Sequence, residues 1–94
     1  MDGFKPLGHY LQKLLDERGL REKIEDARVP EYLRQVVGEA IWQRIESVSF
    51  SNGELIIRTM YPVWRIELRL RAEILRARVN EIIGREHVHR IMVL

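Results

Sequence analysis

The dipeptide Asn52-Gly53, within the stretch VSFSNGELIIRTM (residues 48–60), constrains the fold of this chain more than any other feature. A two-residue β-hairpin loop of type I′ needs positive φ at both central residues, and Asn followed by Gly tolerates that conformation at little cost. The sequence therefore predicts a β-hairpin with this dipeptide at its tip. The facing pairs in that hairpin are Ser51 with Glu54, Phe50 with Leu55, Ser49 with Ile56 and Val48 with Ile57.

The alternation of side chains along the two strands predicts one apolar face and one mixed face. The apolar face comprises Val48, Phe50, Leu55 and Ile57, and the mixed face comprises Ser47, Ser49, Ile56, Arg58 and Met60. A two-stranded ribbon alone is only marginally stable in water. We therefore expect the flanking helices to cover the apolar face.

Size and composition indicate a single domain with one modest core. The chain has 94 residues, of which 46% are apolar, and it has no cysteine for a disulfide framework or thiolate chemistry. No run approaches the roughly 20 apolar residues that a membrane-spanning helix needs, and the N-terminus lacks the pattern of a signal peptide. We therefore expect a cytoplasmic protein in which residues 1–94 form one domain.

Basic residues are concentrated in the second half of the chain. Residues 1–55 contain eight Lys or Arg and ten Asp or Glu, whereas residues 56–94 contain eight Arg and four Glu. Thirteen of the sixteen basic residues are Arg, which forms forked hydrogen bonds to phosphate or carboxylate and stacks on bases. The pattern is compatible with nucleic-acid contact, and equally with a general preference for Arg in which many arginines pair with glutamates one helical turn away.

Three helical segments are predicted before the hairpin. The first covers residues 6–17, the second covers residues 20–27, and the third begins at Pro30. Gly38 lies within the apolar face of the third helix, where either another backbone approaches closely or the helix breaks. Trp42 falls off that face, and it either covers the edge of the core or stacks on a base of a nucleic acid.

The longest predicted helix follows the hairpin, from residue 62 to residue 83, and ends at Gly84. Its apolar residues form two stripes, which indicates packing against the sheet and against either the first helix or a partner molecule. The first stripe is Val63, Ile66, Leu70, Ile74 and Ala77, and the second is Trp64, Leu68, Leu75, Val79 and Ile82. Between the stripes, Glu67 with Arg71 and Arg69 with Glu73 have the spacing of ion pairs one turn apart.

Residues 88–94 are rich in Val, Ile and Leu and predict a final strand. A connection from strand to helix to parallel strand is right-handed with very few exceptions, so we expect this strand to run parallel to residues 55–60. The predicted fold class is a small α+β domain of order α-α-β-β-α-β, with the helices on one face of a three-stranded sheet and the other face open. Residues 1–29 form its N-terminal helical segment.

The sequence shows no constellation for catalysis, cofactor binding or metal binding. His87 and His89 would point the same way on a strand, but no third ligand is apparent, and ordinary edge-strand positions explain both. The sequence has no G-x-S-x-G elbow, P-loop or G-x-G-x-x-G motif, and its carboxylates lie among basic residues. We therefore expect a protein that is not an enzyme and that has no cofactor and no metal.

The open face of the sheet predicts recognition of another molecule. Arg58 and Arg90 project toward this face, with Ile56 and Met60 beside Arg58, and an open sheet flanked by an Arg-rich helix matches the plan of small single-strand nucleic-acid binders. The apolar residues suit a protein partner equally well. The alternatives are a stand-alone single-stranded DNA or RNA binder, a protein-binding module, and a homodimer joined through the two-striped helix or the edge strand.

The order of five short motifs resembles the DciA-type family. The motifs are YLRQVVGEAI, NGELIIRTM, VWRIEL, VNEIIG and VHRIMV, in a resemblance that covers about residues 7 to 94. The family's usual Trp before Val-Val-Gly is Leu33 here, and its Ala-x-His-Thr segment is replaced by residues 42–45. The residues that carry the resemblance are Val36, Val37, Gly38, Gly53, Leu55, Ile57, Trp64, Glu67, Leu68, Asn80, Gly84, Val88 and Ile91.

The resemblance implies a KH-like fold without the G-x-x-G clamp, and a non-enzymatic role in placing the bacterial replicative helicase, DnaB, on DNA. It also implies similarity to proteins that bind single-stranded nucleic acid. On this hypothesis the candidate nucleic-acid-binding residues are Arg58, Arg65, Arg69, Arg76 and Arg90. The candidate partner-binding residues are Ile56, Met60 and Trp42.

Overall fold

The computed structural model describes residues 19–94, which form four helices and three strands. The elements are α1 (Leu20–Val37), α2 (Glu39–Trp42), β1 (Ser47–Ser51), β2 (Glu54–Arg58), α3 (Pro62–Leu70), α4 (Ala72–Ile83) and β3 (Arg90–Val93). The predicted helix at residues 6–17 lies outside the described residues. The α+β fold class is confirmed. None of the described helices is long and apolar enough to cross a lipid bilayer.

The hairpin of β1 and β2 has the register predicted from Asn52-Gly53. Both turn residues have positive φ, 50° for Asn52 and 79° for Gly53. Strand β3 pairs in parallel with the other edge of β2, which is therefore the central strand, and the predicted parallel pairing is confirmed. The facing pairs are Ser51–Glu54, Phe50–Leu55, Ser49–Ile56 and Val48–Ile57 in the hairpin, and Leu55–Ile91 and Ile57–Val93 across the parallel pair.

The core lies between the inner face of the sheet and helices α1, α3 and α4. Its buried side chains are Val29 and Leu33 of α1, Leu55 and Ile57 of β2, Leu68 of α3, Leu75 and Val79 of α4, and Val88 and Val93 at β3. Val48 and Phe50 of β1 pack against this cluster. The apolar face predicted for the hairpin is therefore the face that the helices cover.

Helix α1 is continuous, so the prediction of one helix at residues 20–27 and a separate helix starting at Pro30 is wrong. Pro30 lies inside the helix, where a proline costs about 3 kcal/mol because it lacks the N–H and crowds the preceding turn. Its neighbours Val29 and Leu33 are completely buried, and each such burial stabilises the fold by about 1.5–3 kcal/mol. Tertiary packing therefore outweighs the local helix-breaking signal.

Gly38 breaks the helix, which is the second of the two alternatives that the sequence allowed. Its φ is 86° and its ψ is 163°, a conformation that residues with a Cβ rarely adopt. A Cβ at this position would meet no atom within 4 Å. Gly38 is therefore required for its backbone conformation and not for a close approach of another backbone.

The single helix predicted over residues 62–83 is two helices that meet at Arg71. Arg71 has φ −98° and ψ 2°, and no proline or glycine in the sequence marks this break. Of the two predicted stripes, the second faces the core, where Leu68, Leu75 and Val79 are buried. The first stripe faces away from the core, and Val63, Ile66, Leu70 and Ile74 are exposed.

Strand β2 ends at Arg58, so the prediction that Met60 lies on the mixed face of the sheet is wrong. The next residue, Thr59, is only 3% exposed. Its hydroxyl donates a hydrogen bond to the carbonyl of Arg44 (2.7 Å) and accepts one from the N–H of Tyr61 (3.2 Å). These bonds turn the chain away from the sheet and into α3.

A buried asparagine fixes the connection from α4 to β3. The side-chain amide of Asn80 donates to the carbonyl of Val88 (2.9 Å), and its oxygen accepts the N–H groups of Val88 (2.8 Å) and His87 (3.1 Å). Gly84 ends α4 in the left-handed conformation, with φ 91°. The spacing of this asparagine and this glycine therefore sets where β3 begins.

Candidate interaction surfaces

A row of exposed aliphatic side chains runs along the outer side of α3 and α4. Val63, Ile66, Leu70 and Ile74 are 69%, 59%, 75% and 57% exposed, and they are termed the α3–α4 stripe. Val63, Ile66 and Leu70 are successive neighbours on the surface of α3, because they are three and four residues apart, and Ile74 lies in the first turn of α4. Contiguous exposed apolar surface of this kind is typical of interaction sites.

A groove lies beside this stripe, bounded by the end of α1, by α2, and by the junction of α3 with α4. It has a volume of about 260 Å³. Because Ile74 belongs both to the stripe and to the groove, the two form one continuous surface. The lining residues of this α1–α4 groove are Val36, Val37, Ile41, Leu68, Arg71, Ile74, Leu75 and Arg78, of which six are aliphatic and none is aromatic.

Two arginines give the groove a positive rim. The guanidinium of Arg71 lies 3.5 Å from the carboxylate of Glu67, and the two side chains are 54% and 42% exposed. An exposed pair of this length contributes little. Arg78 is exposed and has no ion-pair partner among residues 19–94. The rim therefore offers cationic groups that an anionic partner can contact.

The open face of the sheet carries Arg58 and Arg90, as predicted. Arg58 is exposed. Arg90 is opposite Glu54 in the parallel pair, with its Nε 3.6 Å from the carboxylate and its side chain 66% exposed. The row between the two arginines consists of Ser49, Ile56 and Met92. This face is therefore mixed, with basic groups beside a small apolar row.

Two of the other arginines predicted to bind nucleic acid hold the fold together. Nη2 of Arg65 donates to the carbonyl of Thr59 at 3.0 Å. Arg69 donates from Nε and Nη2 to the carbonyl of Val93, at 3.0 and 2.8 Å. The two arginines thereby tie α3 to the ends of β2 and β3, although no carboxylate neutralises their charge within the described range.

Arg76 lies between two carboxylates. Its guanidinium is 2.6 Å from Glu73 and 2.9 Å from Glu86, and its side chain is 18% exposed. The hydrogen bond from Arg76 lowers the pKa of Glu73, and the hydrogen bonds to Glu73 and then Glu86 raise the pKa of Arg76. One cation with two anions is a locally negative cluster, which does not favour contact with phosphate.

Of the two ion pairs predicted within residues 62–83, one forms and the other does not. The pair of Glu67 and Arg71 forms. The pair of Arg69 and Glu73 does not form, because Arg69 binds the carbonyl of Val93 while Glu73 binds Arg76. Helical spacing correctly indicated which side chains share a face but not which of the available acceptors each arginine uses.

The three residues predicted to contact a partner lie in separate places. Ile56 is on the open face of the sheet, and Met60 is 73% exposed in the connection to α3. Trp42 is half-buried and packs against the core. Beside Met60, the guanidinium of Arg44 lies 5.3 Å from the ring centre of Tyr61, which is the geometry of a cation–π contact.

The two histidines precede β3, so their predicted positions on a strand are wrong. His87 contacts α1, with its Nε2 2.7 Å from the carboxylate of Asp26, and its ring centre is 5.2 Å from that of Phe50. His89 packs over Gly53, whose carbonyl accepts its N–H at 2.8 Å. Residues 19–94 contain no group of three or more His, Cys, Asp or Glu that could hold a metal ion.

Sequence reasoning did not predict the α1–α4 groove. Its walls come from residues 36–41 and residues 68–78, which the sequence assigns to different helices. The available signal was indirect: Val36, Val37 and Ile41 lie on the broad apolar face of one helix, and Ile74 lies on the outer stripe of another. The buried polar residues Thr59 and Asn80 were also not recognised as structural centres.

Comparison with known proteins identifies the family. A family model described as "Dna[CI] antecedent, DciA" matches residues 6–93. No curated protein matches the chain, and no solved structure matches it. The family match spans nearly the whole sequence and agrees with the order of the five short motifs. The chain therefore belongs to the DciA family.

Proposed function

We propose that this protein is a non-enzymatic adaptor that binds the bacterial replicative DNA helicase, DnaB, and assists its loading or operation on DNA in the cytoplasm. Family membership over residues 6–93 supports this class of function. The observation that carries the proposal is the α3–α4 stripe, whose four aliphatic side chains are 57–75% exposed. An adaptor needs a surface that a partner protein covers, and an exposed apolar row suits that purpose.

The open sheet face supports a second proposed contact, with single-stranded nucleic acid. Arg58 is exposed without a carboxylate partner in residues 19–94, and Arg90 has only the 3.6 Å contact with Glu54. Both can therefore reach phosphates at little cost. We expect Arg65, Arg69 and Arg76 to contribute less, because each is already bonded within the chain.

The same order of elements is compatible with the KH-like fold that the resemblance implied. Helix α1 precedes a hairpin, and two helices then lead to a strand parallel to β2. The G-x-x-G loop by which KH domains clamp a nucleic-acid backbone is absent from the sequence. Any nucleic-acid contact must therefore use other groups, which is a further reason to test the open sheet face.

Binding to the cognate replicative helicase tests the adaptor function. We expect the full chain to bind the purified helicase in biolayer interferometry, and Ile66→Asp to abolish binding because it places a carboxylate in the stripe. Ile24→Asp, at an exposed aliphatic position on α1, is the matched control and should bind like the wild type. Absence of any wild-type complex at micromolar concentrations would refute the proposal.

The salt dependence of binding to a labelled polythymidine oligonucleotide tests the nucleic-acid contact. Each lost phosphate contact reduces the slope of log K against log salt concentration by about 0.7 for a single strand. We expect Arg58→Ala and Arg90→Ala each to produce such a reduction, and Arg28→Ala, an exposed arginine on α1, to produce none. Affinity that does not change with salt would contradict a contact led by phosphates.

A further inference from the structure

We propose that the α1–α4 groove binds an acidic peptide segment of the partner protein, with an aliphatic side chain in the groove and carboxylates against Arg71 and Arg78. The inference rests on the proposed adaptor function, because the partner supplies the segment. The shape, the lining and the charge of the groove favour such a segment, as does its continuity with the α3–α4 stripe.

The lining of the groove suits an aliphatic side chain. Its floor includes Leu68 and Leu75, which are 1% and 6% exposed, and its outer wall is Ile74, which is 57% exposed. A volume of about 260 Å³ lies below the roughly 300–1,000 Å³ of sites for drug-sized ligands and cofactors. The groove therefore fits one or two side chains of a peptide better than a whole small molecule.

The rim of the groove selects an anionic segment. Arg71, at the junction of α3 with α4, and Arg78, on α4, both line the groove, and a guanidinium binds a carboxylate through two parallel hydrogen bonds. Among residues 19–94, the one ion pair that either arginine makes is the 3.5 Å contact of Arg71 with Glu67. An incoming carboxylate can replace this weak exposed contact, whereas a lysine or arginine in the partner would meet two like charges.

The chemistry of the groove favours a peptide over a nucleic acid. Proteins that hold unstacked bases do so mainly on aromatic side chains, and none of the eight lining residues is aromatic. An amphipathic helix lying in an apolar groove, with aliphatic anchors one turn apart, is a common mode of peptide recognition. The stripe extends the apolar surface beyond Ile74, so a bound helix can continue along Leu70 and Ile66.

The probe is a synthetic amphipathic peptide of leucine and glutamate, titrated into the full chain labelled with ¹⁵N, with a leucine–lysine peptide of the same pattern as its counterpart. We expect the acidic peptide to shift the backbone amide signals of Val36, Ile41 and Leu75. Removing both rim arginines (Arg71→Ala with Arg78→Ala) should weaken binding by about tenfold, as two exposed ion pairs allow. Arg28→Ala should leave it unchanged.

Four outcomes would overturn the inference. The basic peptide could bind as tightly as the acidic one, or a polythymidine oligonucleotide could shift the same amides. Groove signals that move with protein concentration would assign the groove to a second copy of the chain. Groove signals that move in Leu11→Asp without any peptide would assign it to the chain's own N-terminal segment.

The cognate helicase separates failure of this inference from failure of the proposed function. If the wild type and the double rim variant bind the helicase equally, the groove is not the docking site, but the adaptor function stands. If the wild type itself does not bind, the adaptor function fails. Weaker binding of the double variant, with Arg28→Ala unchanged, supports both.

Discussion

We expect truncation of Leu70 to alanine to separate the proposed helicase binding from stability. Leu70 is 75% exposed, and full burial of a leucine side chain is worth about 1.5–3 kcal/mol. Covering the exposed three quarters with a partner therefore contributes roughly 1–2 kcal/mol, most of which Leu70→Ala removes. We expect the Kd for the helicase to rise about 5- to 30-fold. Because alanine is a good helix former, we expect the free energy of unfolding to stay within about 0.5 kcal/mol of the wild type.

Biolayer interferometry with the immobilised helicase measures the change in Kd, and urea denaturation measures the change in stability. Ile24→Ala removes an aliphatic side chain that is 44% exposed on α1. It should leave the Kd unchanged, and loss of its covered part should lower the free energy of unfolding by about 1–2 kcal/mol. Leu68→Ala removes a buried side chain, 1% exposed, and it should lower the free energy of unfolding by about 2–5 kcal/mol. A Leu70→Ala variant that binds the helicase as tightly as the wild type would refute the assignment of the α3–α4 stripe.

Three further predictions concern the fold. Asn80→Ala removes the side-chain acceptor of the buried Val88 N–H and leaves the Val88 carbonyl only the 3.4 Å contact from Arg76, and we expect a loss of about 2–4 kcal/mol in urea denaturation. Gly53→Ala places a Cβ on a residue with φ 79° and against a neighbouring imidazole, and we expect it to lower stability by at least about 1 kcal/mol in the same assay. The pKa of Glu73 is lowered by its hydrogen bond from Arg76, so its carboxylate stabilises the fold above the ordinary pKa of glutamate, and this contribution is lost as pH falls through the lowered value. The difference in thermal stability between the wild type and Glu73→Gln should therefore be present at neutral pH and disappear in acid.

An exposed residue on α4 provides the control for Asn80→Ala. Glu81→Ala, at an exposed position on α4, should stay within about 0.5 kcal/mol of the wild type. An equal effect of Asn80→Ala and Glu81→Ala would show that the buried asparagine is dispensable. Wild-type stability in Gly53→Ala would argue against the positive φ at the turn. A difference between the wild type and Glu73→Gln that grows in acid would reverse the assigned sign.

The sequence predicted best the elements whose local conformation is restricted or whose placement follows a general rule of sheet topology. Asn52 and Gly53 specify positive φ at two consecutive positions, and this requirement alone sets the register of five facing pairs. The parallel placement of β3 agrees with the usual pairing of two strands that are joined by a helical crossover. In both cases the alternatives are few, so sequence reasoning can exclude them.

Helix boundaries were harder to predict because they depend on packing at a distance. Pro30 is a strong local stop signal, but the buried neighbours Val29 and Leu33 hold the helix together across it. At Arg71 the opposite occurs, since the helix breaks where neither proline nor glycine is present. The sequence pattern of one segment does not show how much free energy that segment gains from contacts with another segment.

The candidate surfaces were predictable only in part. Periodicity identified both apolar stripes of the long segment, but it could not tell which one the sheet covers, because the two have the same spacing and similar composition. The sequence shows how many arginines the long segment has but not which acceptor each one binds. Arg69, for example, binds a backbone carbonyl at the end of β3. The groove forms only where α1, α2 and the α3–α4 junction pack together, and the sequence does not show which segments pack against one another.

The parallel pairing of β2 with β3 has a consequence for synthesis on the ribosome. The central strand Glu54–Arg58 forms its hairpin with β1 at once, but its other edge has no partner until both following helices and Arg90–Val93 have been translated. During that interval the nascent chain presents a row of unpaired amide and carbonyl groups, which is a template for a strand from a neighbouring chain. Crowded polysomes therefore expose the free edge of β2 to misassembly during this interval, and a chaperone that covers this edge would protect the domain.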